Sequence, residues 1–149
     1  MKKITGLLLS ATLLLSGCGS VPVTGRKQML LVSDSEVIAS SLTQYSDYMK
    51  SATPSTNTKG KAMVTRVGKN IAAATEAYLK ANGLTNEIKN FNWEFNLVKD
   101  NQVNAFCMPG GKIVVYEGLL NLVSSDDELA VVIGHEVAHA VAKHSNERI

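Results

Sequence analysis

From Ser125 to about Glu147 the sequence reads as one continuous helix with two unlike faces, and that helix sets what the rest of the chain must supply. Ser125-Asp126-Asp127-Glu128 has the pattern of a capping box, and its acids suit the positive end of a helix dipole. Leu129, Ile133, Val137, Ala140 and Val141 then fall together on one side. At about 100° per residue, His135 and His139 lie only about 40° apart and one turn separated, so both rings leave the helix from a single patch. Ile133 and Val137 stand about 160° away from His135. The apolar back needs partner elements to cover it, whereas the front holds two imidazoles side by side.

The stretch His135-Glu136-Val137-Ala138-His139 is a His-Glu-x-x-His pattern. Two neutral imidazoles at this spacing can fill two corners of a zinc tetrahedron, and zinc lowers the pKa of a bound water toward about 7. Glu136, next to the first ligand and about 100° around the helix, is placed to take the water's proton and pass it to a departing amine. His135 and His139 are therefore the expected metal ligands and Glu136 the expected catalytic base. His144 is the third histidine of the chain. It lies about 140° around from His139, so a continuous helix cannot aim it at the same metal. The metzincin pattern is also missing, with Ala142 at the glycine position and Ser145 at the third histidine. His144 is read as a residue near the helix C-terminus, where the dipole favours its charged form.

At the other end, MKKITGLLLSATLLLSGCGS joins a charged head, Lys2 and Lys3, to an apolar stretch from Ile4 to Leu15 and then small residues. This is the pattern of a secretory signal, too short for a stable transmembrane anchor. Leu15-Ser16-Gly17-Cys18 resembles the lipobox of bacterial lipoproteins, so residues 1–17 are expected to be cleaved and Cys18 to carry lipid. Acyl chains contribute roughly 0.8 kcal/mol per buried methylene, and two or more give durable attachment. Gly19 stands where the sorting rules seen in that class would place an aspartate for inner-membrane retention. The expected location is thus the outer membrane, facing the periplasm. Loss of 1–17 removes two lysines and no acid, leaving 13 of each sign and no net formal charge. With no basic run to track phosphates, a nucleic-acid partner is not expected. Cys107 would be the remaining thiol, read as a small buried strand residue.

Residues 18–32 form the expected tether, lying extended with turns at Pro22 and Gly25, and 33–149 a single domain. Ser33-Asp34-Ser35-Glu36 caps a first helix reaching about Lys50. A second is predicted from about Lys61 to Asn82, with Met63, Val64, Val67, Ile71, Ala74 and Tyr78 on a core stripe and Gly83 as its stop. From Phe91 the period becomes two: Trp93, Phe95 and Leu97 alternate with Asn92, Glu94 and Asn96, as in a half-buried strand. Further strands are predicted at about Val103–Met108 and Lys112–Tyr116, joined by the turn Pro109-Gly110-Gly111. Glu117 to Val123 is read as a short helix or turn.

With these elements placed, the sequence resembles the zinc metallopeptidase family that includes the HtpX-type and prenyl-protein endopeptidases and the Oma1-like and BepA-like peptidases. The residues that carry the resemblance are Asn104 to Gly111, Ile113 to Tyr116, Gly118 to Leu120 and Glu128 to His139, and the tether is similar to the start of lipoprotein members. The resemblance implies an α/β (α+β) fold with a minigluzincin-like core, mostly helical, whose small three-stranded sheet packs on the metal helix. It implies zinc on His135 and His139, Glu136 as base, and the strand at Asn104, Ala105 and Phe106 beside the cleft, holding an extended substrate through its backbone. A third ligand is implied as well, a glutamate in a Glu-x-x-x-Asp motif on a later helix. The chain reaches Ile149 without that motif, and the expectation is a fragment of a longer protein rather than a natural truncation. The leading expectation is a membrane-tethered zinc endopeptidase acting on misfolded or unassembled envelope proteins. The alternatives are an inactive truncated lipoprotein that holds unfolded strands without cutting them, and a purely structural lipoprotein that needs no zinc.

Overall fold

The computed structural model describes residues 18–21, 25, 27–29 and 32–143. The expected leader at 1–17, Pro22, His144 and Glu147 lie outside them. The expected extended tether is instead folded back on itself: β1 (Cys18–Ser20) pairs antiparallel with β2 (Lys27–Met29), Cys18 opposite Met29. Gly25 turns the chain with a φ of 63°, and its N–H donates to the Val21 carbonyl at 3.0 Å.

Helix α1 (Asp34–Ser51) begins at the predicted box, in which the Ser33 side chain accepts from Glu36 N–H while the Glu36 carboxylate accepts from Ser33 N–H. Helix α2 (Thr58–Ala81) starts three residues before the prediction, because the Asn57 side chain accepts from Gly60 N–H at 2.9 Å and caps it. It ends as expected at Gly83, whose φ is 73°, with Leu84 N–H returning to the Leu79 carbonyl at 2.8 Å. A short helix, α3 (Thr85–Ile88), leads into the sheet.

Three strands follow, β3 (Glu94–Val98), β4 (Ala105–Met108) and β5 (Lys112–Tyr116), in spatial order β3-β5-β4. β5 runs parallel to β3 and antiparallel to β4, which leaves β4 on an edge. Ile113 and Val115 point into the core formed with α2 and with the histidine helix, α5 (Asp126–Val141). Val114 and Tyr116 point the other way, toward Tyr45, Tyr48 and Met49 of α1. The result is three layers, α1 on one face of the sheet and α2 with α5 on the other. Ile113, Val114 and Val115 are fully buried, which contributes roughly 1.5–3 kcal/mol for each side chain. The close approach of α2 needs Gly68, where an added Cβ would lie 2.3 Å from the Phe95 ring.

The polar side of β3 is not left to water. Lys112 Nζ, almost wholly buried, donates to the Asn92 carbonyl and to Glu94 Oε1, each at 2.7 Å. Tyr45 of α1 donates to Glu94 Oε2 at 2.7 Å and accepts from Asn96 at 2.7 Å. An unpaired buried ammonium would be strongly destabilising, so this network holds α1 in register on the sheet. Lys112 and then Tyr45 keep the Glu94 carboxyl below the usual carboxylate range, while burial, reinforced by Glu94, pushes Tyr45 up to about 12.

After β5 comes a helical turn, α4 (Glu117–Leu120), and then α5. The prediction carried that helix to about Glu147, but it ends at Val141. Ala142 is its cap, and Lys143 takes a φ of 55° that cannot continue a right-handed helix.

Candidate metal centre

Helix α5 is held by one face. Leu129, Ile133, Val137 and Val141 recur every fourth residue and are buried against α2 and the sheet. Ser125 caps the start by accepting from Glu128 N–H at 3.2 Å. The predicted box closes only halfway, since the Glu128 carboxylate accepts from Ser124 N–H at 2.7 Å rather than from Ser125. A forked ion pair from Arg66 of α2 to Asp126, at 2.6 and 2.7 Å, ties the first turn down.

On the opposite face the two imidazoles converge. His135 is exposed and His139 half-buried. Their Nε2 atoms are 2.9 Å apart, and the rings are nearly perpendicular at 88°. Two nitrogens bound to one tetrahedral zinc at about 2.0–2.1 Å would be about 3.3 Å apart, so a small opening of the pair accommodates the ion. The donor chemistry and the convergence both fit zinc. Among the described residues no group of three His, Cys, Asp or Glu side chains comes together, so these two donors supply half of a tetrahedron.

The flanks of the histidine pair differ. Going around the helix, Val132 and Glu136 lie on one side of it, Gly134 and Ala138 on the other. The first side faces β4, where the negative charge of Glu136 reaches Cys107. Burial first, and Glu136 second, push the Cys107 thiol up to about 12, so it is a neutral thiol at ordinary pH. Glu136 is half-buried and makes no hydrogen bond or ion pair among the described residues. The second side faces α2, with Ile71 Cδ1 3.8 Å from where a Cβ on Gly134 would stand. Here a cleft of about 500 Å³ opens between Ile71, Thr75 and Tyr78 of α2 and His135, Ala138 and His139 of α5.

The expected substrate strand lies alongside α5, but its three residues point in different directions. Asn104 is exposed just before β4, and its carbonyl accepts from Tyr116 N–H at 3.0 Å. Ala105 and Cys107 pack toward α5. Phe106 packs on the far side of the sheet, edge-on to Tyr48 at 5.4 Å and to Tyr116 at 6.3 Å. Only its backbone is on the strand edge. Among the described residues no strand pairs with the outer edge of β4. The cleft residues of α2 were not recognised as such in the sequence. Ala74 and Tyr78, expected in the core stripe, are exposed, and Leu79 is the fully buried residue near that end. A stripe wider than one packing partner needs was the available signal.

The sequence profile of Peptidase family M48 matches residues 61–149, from α2 through the histidine helix to the last residue. The chain belongs to this family. It is 54% identical over 70 residues to the mitochondrial metalloendopeptidase OMA1 of Arabidopsis thaliana, covering 47% of this chain and 14% of that protein. Against the mitochondrial metalloendopeptidase OMA1 of Bos taurus it is 31% identical over 127 residues, 85% of this chain and 24% of the relative. Against the metalloprotease LoiP of Escherichia coli (strain K12) it is 41% identical over 81 residues, 50% of this chain and 31% of the relative. The chain therefore spans less than a third of the length of these relatives. The α/β core of the M48 chain, with its small sheet on the histidine helix, agrees with the minigluzincin-like fold expected from the resemblance.

Proposed function

We propose that the protein is a zinc-dependent metalloendopeptidase, with His135 and His139 as ligands and Glu136 as general base. The observation that carries this reading is the convergence of the two Nε2 atoms at 2.9 Å on a face with Glu136 alongside. The metal, when bound, supplies Lewis acidity toward a peptide carbonyl and a lowered pKa for water. The protein's own residues do the rest. Glu136, on the β4 side, accepts a proton from the attacking water at its carboxylate and returns it to the leaving amine. The outer edge of β4, which no strand among the described residues pairs with, binds an extended peptide by main-chain hydrogen bonds, with Asn104, Ala105 and Phe106 presenting backbone rather than side-chain specificity. A third donor, the glutamate implied by the family resemblance, has room to approach over the cleft on the α2 side.

The proposed substrates are misfolded or unassembled proteins of the cell envelope. The proposed setting is the periplasmic face of the outer membrane, with Cys18 lipidated after removal of 1–17. The lipobox-like sequence supports that placement, and so does similarity to a beta-barrel assembly-enhancing protease of Yersinia pestis, 36% identical over 52 residues. Among the described residues no helix is long and apolar enough to cross a membrane. The test compares Glu136→Gln with the unaltered protein in the membrane fraction of cells producing the full-length parent. The variant should keep zinc and lose casein cleavage by about 10²- to 10⁴-fold. Undiminished cleavage would remove Glu136 from the chemistry, and zinc retained without any cleavage in the unaltered protein would favour a holding role over proteolysis.

A further inference from the structure

The two ends of α5 are anchored differently. At its start the Arg66–Asp126 pair is half-exposed, with side-chain exposures of 55% and 44%, and lies more than two turns before His135. At its finish Lys143 is only 15% exposed, and its Nζ donates to Asp34 Oδ2 at 2.5 Å and contacts Glu87 Oε2 at 3.2 Å. Three elements meet on this one ammonium: the first residue of α1, the short helix α3, and the end of the metal helix. The backbone there is held in a left-handed conformation that residues other than glycine rarely adopt, with Lys143 N–H on the Ala140 carbonyl at 3.2 Å and Ala142 N–H on Ala138 at 2.9 Å. His139 sits in this last turn, four residues before Lys143 and one turn from the clamp.

We infer that Lys143 is a positioning residue for the metal site: by gripping Asp34 and Glu87 it fixes the last turn of α5 and so the aim of His139. The inference rests on His135 and His139 being the metal ligands. It assigns the clamp no contact with metal or substrate. Partners that hydrogen-bond a ligand directly are worth about 10- to 100-fold in metal affinity. A clamp that acts through one turn of backbone is expected at or below the low end of that range, and a half-exposed pair at the far end of the same helix is worth little.

The test measures zinc dissociation constants of the full-length parent by competition with a chromophoric chelator, and hydrogen exchange of amides 138–143 without metal. Lys143→Met should weaken zinc by up to about tenfold and speed exchange in that segment, and Lys143→Arg should recover most of both. Arg66→Ala, which removes the other anchor, should leave zinc affinity within about twofold. Should Lys143→Met fail to fold, Glu87→Gln removes one grip and is expected to move both readouts in the same direction. Unchanged zinc affinity and unchanged exchange in the folded Lys143 or Glu87 variants would overturn the clamp, as would an equal loss in Arg66→Ala. An unaltered full-length parent that binds no zinc would refute the metal reading itself, and the exchange data would then decide the clamp alone.

Discussion

The buried and open faces of α5 divide its labour. Leu129, Ile133, Val137 and Val141 on the back are excluded from water, whereas Val131, one turn before His135 on the front, is 74% exposed. The back is apolar and replaceable in kind by other residues of similar volume. The front carries the two imidazoles together with the exposed side chain of Val131. A helix held by its apolar back and by ion pairs at its two ends can display two imidazoles without burying both of them. Stability and function therefore reside in residues one to two positions apart in sequence and on opposite sides of one helix.

The largest effect expected from this division is on the front. In the full-length parent His135→Ala should abolish zinc binding measured by metal analysis after dialysis, while surface substitutions of this kind shift stability by no more than about 0.5 kcal/mol. A large loss of stability in that variant would mean that the histidines also hold the helix. On the back, Ile133→Ala should destabilise the fold by about 2–5 kcal/mol in denaturant unfolding, because it leaves a cavity between α2 and the sheet. Zinc affinity of the fraction still folded should be unchanged, and a direct loss there would blur the two faces.

The next prediction concerns the flank shared with β4. Cys107 in an unfolded chain ionises near about 8.5, whereas in the folded protein its value is about 12. Alkylation of the native protein should be slow at pH 8 and keep rising with pH, where an unfolded chain levels off. The same shift makes the native state lose stability as pH climbs from the unfolded toward the folded value, because the unfolded thiol releases its proton first. Cys107→Ala should remove that component, and rapid native alkylation at pH 8 would contradict a buried, Glu136-facing thiol. The smallest expected effect is Arg66→Ala, about 0–1 kcal/mol in unfolding, since that pair is half-exposed and screened by salt.

Much of this architecture was legible locally. Both helix starts at Ser33 and Ser125, the glycine stops and turns at Gly83, Gly110 and Gly111, and the strand at Lys112–Tyr116 follow from capping and backbone chemistry that act over a few residues. Other features were not legible, because they depend on partners far away in sequence. The polar residues Glu94 and Asn96 read as a solvent face, but Tyr45 and Lys112 cover them. The helix pattern alone ran on past Val141, and the turn out of it occurs where Asp34 and Glu87 hold Lys143. Tyr78 matched a core stripe and lines a cleft, since α5 covers only part of α2.

The sequence by itself determined that two histidines and a glutamate share one stretch of helix, with the imidazoles one turn apart, because the helical period admits no other arrangement of those five residues. Only the tertiary structure decided that one flank of the pair meets a strand edge and the other an apolar cleft. Those neighbours are chosen by packing between β4, α2 and α5, in which each contact is made by residues tens of positions apart, and no local spacing encodes which side of a helix a distant element will cover.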